Sequence, residues 1–248
     1  MKVNIIENDP SVVVITPTIG KDSLSFAHKS VMAQMYKGDI THLVVVDGSE
    51  FLPEATNQLS LDRRTWITST PNNVGANGMY GHRIFASYPH LVDHDYILFL
   101  DDDNWYGSMH IETLIDTIRS KQLDWAYSLR NVYENGKFLA LDNCESIGKW
   151  PIWFTQDTPT PGHLVDTSSF CFKREFLIQC CHLWHYGWGG DRRFYSMIKD
   201  QSKHDTTGQH TLHYNLPDMD RAYGGDREFF AKGNEAIKKK YGGYPWEQ

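Results

Sequence analysis

The sequence predicts an α/β fold with a mostly parallel central sheet flanked by helices, and three observations carry that prediction. Apolar runs at residues 12 to 15, 43 to 46 and 97 to 100 are short and continuous, as strands buried on both faces are. Helical periodicity falls between and after them, with Leu24, Ala27, Val31 and Met35 on one face and Ile111, Leu114, Ile115 and Ile118 on another. Each run also ends within two residues of a proline, an acid or a glycine, which are the residues that end elements.

Taken in order, residues 11 to 17 form a first strand ended by Pro17, and residues 18 to 21 a loop. Asp22 or Ser23 caps the helix that Gly38 ends. Residues 42 to 46 form a second strand closed by Asp47 and Gly48, which makes a βαβ unit with a right-handed crossover. A short strand at 66 to 68 precedes a glycine- and asparagine-rich loop at 71 to 78, and a helix from 79 to 88 stops before Pro89. The run at 97 to 100 leads into Asp101, Asp102 and Asp103, after which Ser108 caps the next helix.

Beyond residue 120 the pattern changes. Residues 125 to 129 and 137 to 141 flank Asn135-Gly136, the strongest short hairpin signal. Residues 143 to 163 read as an irregular loop, 167 to 172 as a strand and 175 to 181 as a short helix. A tight turn at 187 to 191 enters a helix from about 192 to 199, and residues 210 to 214 form the last strand. Residues 226 to 248 read as a polar, lysine-bearing tail that begins as helix, and no internal repeat divides the chain.

Composition narrows the function classes. A formal net charge of -7 argues against generic nucleic-acid binding, which needs a basic surface. No stretch reaches the length of a membrane span, and the acid-bearing N-terminus is unlike a signal peptide, so a cytoplasmic protein is expected. Cys144, Cys171, Cys180 and Cys181 form neither a disulfide framework nor a C-x-x-C pair, and are expected reduced and buried. Eight Trp and thirteen Tyr suit stacking on sugar rings, besides ordinary packing.

Three adjacent carboxylates at the end of a dry strand repel one another unless a cation sits among them. Oxygen-only ligands suit magnesium or manganese, and the alternative is a solvated turn capping the next helix. In an open parallel sheet ligands bind beyond the carboxyl ends of the strands. There the chain should gather Thr16, Pro17 and Thr18, Asp47, the loop from 73 to 77 and the Asp run.

Those segments together carry a resemblance: Val-Val-Val-Ile-Thr-Pro-Thr at 12 to 18, Val-Val-Val-Asp-Gly at 44 to 48, Asn-Val-Gly-Ala-Asn-Gly at 73 to 78, Leu-Phe-Leu-Asp-Asp-Asp at 98 to 103, and Gly-Trp-Gly-Gly-Asp-Arg-Arg-Phe at 187 to 194. Over about residues 11 to 214 the chain resembles nucleotide-sugar glycosyltransferases of the GT-A (Rossmann-like) fold, of the family 2 type with its viral, phage and bacterial members. The resemblance implies one domain over 1 to 225, with a nucleotide-binding half at 11 to 105, an acceptor half with a β-hairpin and helix at 106 to 225, and a tail from 226.

It further implies that Thr16, Pro17, Thr18 and Asp47 hold the nucleobase and ribose of a nucleoside-diphosphate sugar, with UDP the first expectation. Asn73, Gly75 and Asn77 would line the donor, and Arg83 would reach the diphosphate, although His82 stands where a small residue usually precedes that arginine. Asp101 and Asp103 match the D-x-D positions, Asp103 as ligand of Mn2+ or Mg2+ and Asp101 as ligand or ribose partner, with Asp102 assisting. His213, or else His210, would complete the metal site.

Asp191 matches the acidic position that takes the acceptor hydroxyl's proton in inverting transfer, with Asp166 second; its place at a helix start predicts a lowered pKa. Trp153, Trp184, Trp188, Arg192 and Arg193 would meet a glycan acceptor. The expected activity is transfer of a hexosyl or deoxyhexosyl group. Two rivals remain, a sugar nucleotidyltransferase and a non-catalytic carbohydrate-binding protein of the same fold.

Overall fold

A computed structural model describes residues 9 to 150, 164 to 216 and 227 to 248. β1 (Val12–Thr18), β2 (Ile40–Val46), β3 (Thr65–Ser69) and β4 (Tyr96–Phe99) lie parallel in the order β3-β2-β1-β4. β8 (Phe170–Lys173) then joins β4 antiparallel, β6 (Trp125–Glu134) joins β8, β9 (His204–Asn215) runs parallel to β6, and the two-residue β5 (Trp105–Tyr106) closes that edge. β7 (Lys137–Asp142) pairs with the far end of β6. The fold is thus the expected mixed α/β one, a parallel half extended by an antiparallel addition.

Residues of β1 and β4 alternate between two cores, as strands buried on both faces must. Val13, Ile15, Ile97 and Phe99 face one side, where α3 (His82–Ser87), α5 (Arg174–Cys180) and α6 (Gly190–Ile198) bring Phe85, Leu177 and Phe194. Val12, Val14 and Leu98 face the other, against Ala27 and Val31 of α1 (Leu24–Met32) and Ile111, Leu114 and Ile118 of α4 (His110–Lys121). The hairpin turns at Asn135 (φ 49°) and Gly136 (φ 73°), two left-handed residues of the kind a two-residue turn between twisted strands requires.

Several expectations need correction. α1 stops at Met32, so Met35 lies beyond the helix and is 63 % exposed. Neither Ser23 nor Ser108 caps through its side chain: Met109 holds the cap position of α4, and the Ser108 carbonyl instead accepts from the Met35 amide at 2.9 Å. A six-residue helix, α2 (Leu52–Asn57), stands between β2 and β3. Residues Thr167–Ser169 form a 3-10 turn and not strand, because the Asp166 carboxylate accepts from the Ser168 amide at 2.9 Å. The final helix, α7 (Arg227–Tyr241), is no solvated tail: Phe230 and Ile237 pack with Leu129 and Val132 in a third core.

The four cysteines are free, and three of them are buried. Among the described residues no helix is long and apolar enough to cross a membrane.

Candidate active site

Register places the site. Thr18 of β1 pairs with Val46 of β2, and Ile15 with Phe99 of β4, so the chain leaves all three strands at one edge, where Thr18, Asp47 and Asp101 to Asp103 meet. A cleft of about 550 Å³ opens there, a size suited to a small-molecule ligand. Pro17, Thr18, Asp47, Asn73, Gly75 and the three aspartates line one wall. The opposite wall comes from the second half of the chain, with Arg130, Glu145, Asp166, Trp188, Asp191 and Arg192.

On the first wall Asp47 is a clasp. Its two carboxylate oxygens accept from the Val74 and Gly75 amides, each at 2.7 Å, and so fold the loop after β3 onto the end of β2. Thr16 lies beneath the wall and not on it: it is fully buried against His42, its Oγ1 2.9 Å from Nε2. Asn73 brings a buried amide oxygen, Oδ1, that has no hydrogen-bond partner, an acceptor left for a donor group on a ligand. Asn77 and Arg83 do not line the cleft; Arg83 is exposed and donates to the Val74 carbonyl at 2.9 Å and to His185 Nε2 at 3.3 Å. His82 lines the cleft, its Nδ1 donating to the Tyr186 carbonyl at 2.7 Å.

The Asp run is divided by its neighbours. Asp102 is the buried member, accepting from Thr18 Oγ1 at 2.7 Å and pairing with Lys21 Nζ at 3.0 Å. Lys21 also reaches Asp103 Oδ2 at 3.4 Å, so a protein cation already sits among the carboxylates. Asp101 turns toward the opposite wall, where Ser168 Oγ donates to it at 3.2 Å. Burial, with Asp103, Asp166 and Asp102 nearby, holds the Asp101 carboxyl well above its ordinary range.

Across the cleft Arg130 is buried and joins three carboxylates: Asp142 at 2.6 Å, Asp166 at 2.8 Å and Glu145 in a short contact. The Tyr214 ring lies over its guanidinium at 4.2 Å. Arg192 extends the chain of charges to Glu145 at 3.5 Å, and the Arg192 amide donates to Asp191 Oδ1 at 2.7 Å. Asp191 does not have the lowered pKa expected at a helix start. Burial is the largest influence and raises it, outweighing the Arg192 amide and side chain. Burial likewise raises Asp166, against the pull of Arg130.

Other expected residues lie elsewhere. Trp184 is fully buried, stacked on Phe194 with ring centroids 4.4 Å apart, so it is core and not an acceptor platform. Trp188 is 72 % exposed on the cleft rim, whereas Arg193 packs over Tyr186 outside it. Trp153 lies outside the described residues. His210 bonds Asn143 Oδ1 at 2.8 Å, and His213 stacks on Trp105 with centroids 5.5 Å apart; neither lines the cleft. Among the described residues no three or more His, Cys, Asp or Glu side chains are already gathered as a metal cage.

The chemistry of the wall nevertheless suits a cation arriving with its ligand. The described residues lining the cleft include seven carboxylate side chains against Lys21, Arg130 and Arg192, a formal excess of four negative charges. Asp101 and Asp103 supply the oxygen donors that a hard divalent ion takes, and a diphosphate would supply the rest.

The cleft lies beyond the carboxyl ends of the parallel strands, where open α/β sheets take their ligands. Comparison with solved structures is more particular. Crystal structures of Staphylococcus aureus TarS match: residues 1–349 at TM-score 0.58 and 14 % identity, covering 83 % of this chain and 60 % of that one. The complex with UDP-GlcNAc matches at 0.57 and 12 %, covering 94 % and 66 %, and the complex with UDP at 0.56 and 12 %, covering 87 % and 63 %. The chain thus has a GT-A-like glycosyltransferase fold and spans about 60 % of the first of those structures. No family model and no curated protein matches the sequence.

Proposed function

We propose that the protein is a metal-dependent, inverting glycosyltransferase, family 2-like, that moves a hexosyl group from a UDP-sugar to a glycan acceptor. The observation that carries this reading is the facing of two walls across one cleft: a nucleotide-side wall of strand ends with paired aspartates, and an opposite wall bearing the half-buried Asp191. The likeness to structures solved with UDP and UDP-GlcNAc supports it.

In this mechanism Asn73 and the loop clasped by Asp47 hold the nucleoside, and Asp101 and Asp103 are the residues that would hold Mn2+ or Mg2+. A metal held there would supply charge neutralisation for the diphosphate and stabilise it as a leaving group. Trp188 offers an exposed ring for stacking on the acceptor sugar. Asp191 takes the proton of the acceptor hydroxyl, and the hydroxyl oxygen attacks the anomeric carbon from the face opposite the diphosphate. The glycosidic bond to the diphosphate breaks, and its electron pair leaves on the phosphate oxygen. A raised pKa makes Asp191 a stronger base than an ordinary carboxylate.

Thermal melting with UDP, GDP and CDP, each with and without Mn2+, tests the reading. UDP with Mn2+ should raise the melting temperature most, and Asp103→Ala should abolish that rise. If no nucleotide stabilises the protein even with metal, the donor site is absent and a carbohydrate-binding role takes its place.

A further inference from the structure

We propose that Lys21 is a resident counter-ion of Asp102 and Asp103 that an incoming divalent metal must displace, so that metal and nucleoside diphosphate bind cooperatively. This rests on the function proposed above and adds to it a residue that the resemblance does not assign.

The geometry is specific. Lys21 Nζ lies 3.0 Å from Asp102 Oδ1 and 3.4 Å from Asp103 Oδ2, bridging two members of the acidic run. The ammonium thus sits between two carboxylates of the run, as a bound cation would. Its loop is built to deliver it there. Gly20 adopts φ +84°, and its amide donates to Thr18 Oγ1 at 2.9 Å, while that hydroxyl donates to Asp102 Oδ2 at 2.7 Å. One short loop therefore fixes both the carboxylate and the cation that neutralises it.

A second cation at Asp103 meets the ammonium at close range, and like charges so placed repel. Lys21 is half exposed on a flexible stem, so it can withdraw, whereas Asp102 is only 7 % exposed and stays. Leaving is unfavourable in the bare cleft, where the ammonium would give up two carboxylates for water. A bound diphosphate changes this by offering anionic oxygens within the same cleft. Metal without nucleotide therefore competes with Lys21, and nucleotide without metal meets the excess negative charge. Together each removes the obstacle to the other, and such coupling is reciprocal.

Mn2+ binding, followed by the electron paramagnetic resonance of free Mn2+ with and without UDP, tests this on the full chain. In Lys21→Met, Mn2+ alone should bind roughly five- to tenfold tighter than in the wild type, the scale of an ordinary coupling between two ligands. The factor by which UDP tightens Mn2+ should shrink. Lys21→Arg keeps the charge and should stay close to the wild type, and Lys21→Gln should repeat the methionine result with a polar tip. A Lys21→Met or Lys21→Gln protein that binds Mn2+ no tighter than the wild type, while the wild type shows coupled binding, overturns the role of Lys21 alone. A wild type without Mn2+-dependent UDP binding overturns the proposed function and this inference with it.

Discussion

At Asp191 two effects oppose each other. The Arg192 amide and the first turn of α6 favour the carboxylate, and burial disfavours it by more. Asp191→Asn should therefore keep Mn2+-dependent UDP binding and lower kcat at least about a hundredfold, the usual worth of a positioned base; paired binding and turnover measurements check this. Histidines carry a second consequence of burial. His28 Nε2 faces the Ser60 carbonyl at 3.1 Å and so carries its proton there. Its Nδ1 then accepts from His42 Nδ1 at 2.9 Å, and His42 Nε2 accepts from Thr16 Oγ1. Burial lowers both His42 and His110 to about 3, from an ordinary 6.5. The unfolded chain takes up these protons below pH 6.5 and the folded chain does not. Stability is thus full above pH 6.5 and falls as pH drops toward 3, by about 1.4 kcal/mol per pH unit for each histidine. Chemical denaturation between pH 7 and 4.5 should show His110→Phe losing stability less steeply by about that slope.

Among the elements, the loop after β3 shows how backbone decides a site. A Cβ on Gly75 would meet Asp47 Oδ2 at 2.5 Å and collide with the Tyr80 carbonyl, so Gly75→Ala should open the Asp47 clasp. UDP affinity is expected to fall about tenfold, the worth of one or two lost hydrogen bonds, with the far-ultraviolet circular dichroism spectrum unchanged. Calorimetric titration checks this. The strands and their acidic ends were legible in the sequence because they are local: four apolar residues and an adjoining Asp identify themselves. Arg130 and Glu145 were not. Their role exists only because β6 brings Arg130 beside Asp142, 12 residues on, and Asp166, 36 residues on, and no period marks such pairings. Trp184 was misread for the same reason, since a tryptophan's side of a short 3-10 turn depends on what packs there. α7 hid its buried face behind Lys238, Lys239 and Lys240, which occupy its last turn.

Across the whole molecule, the two walls are held by different halves of the chain, and the third core ties the C-terminal helix to the second wall. Leu129 and Val132 of β6 flank Arg130, and Ile237 of α7 is fully buried beside them. Ile237→Ala should cost about 2 to 5 kcal/mol in denaturant melts, as deleting a buried aliphatic side chain does. Turnover at a temperature where the variant remains folded should stay near that of the wild type, because Ile237 does not line the cleft.

β4, the strand that delivers the aspartates, has its two neighbours at opposite ends of the chain's history. β1 precedes it by some eighty residues, and β8 reaches it antiparallel, Leu98 against Cys171, only after β6 has been made. During synthesis this wholly apolar strand therefore has one edge without its partner until residue 173 has emerged, and an open edge of that kind invites pairing with other chains. The Asp run follows it directly, and charges at the end of an apolar strand are of the kind that oppose the stacking of one unfolded chain on another. The charges that line the cleft of the folded protein are thus also a safeguard that the chain's order of synthesis calls for.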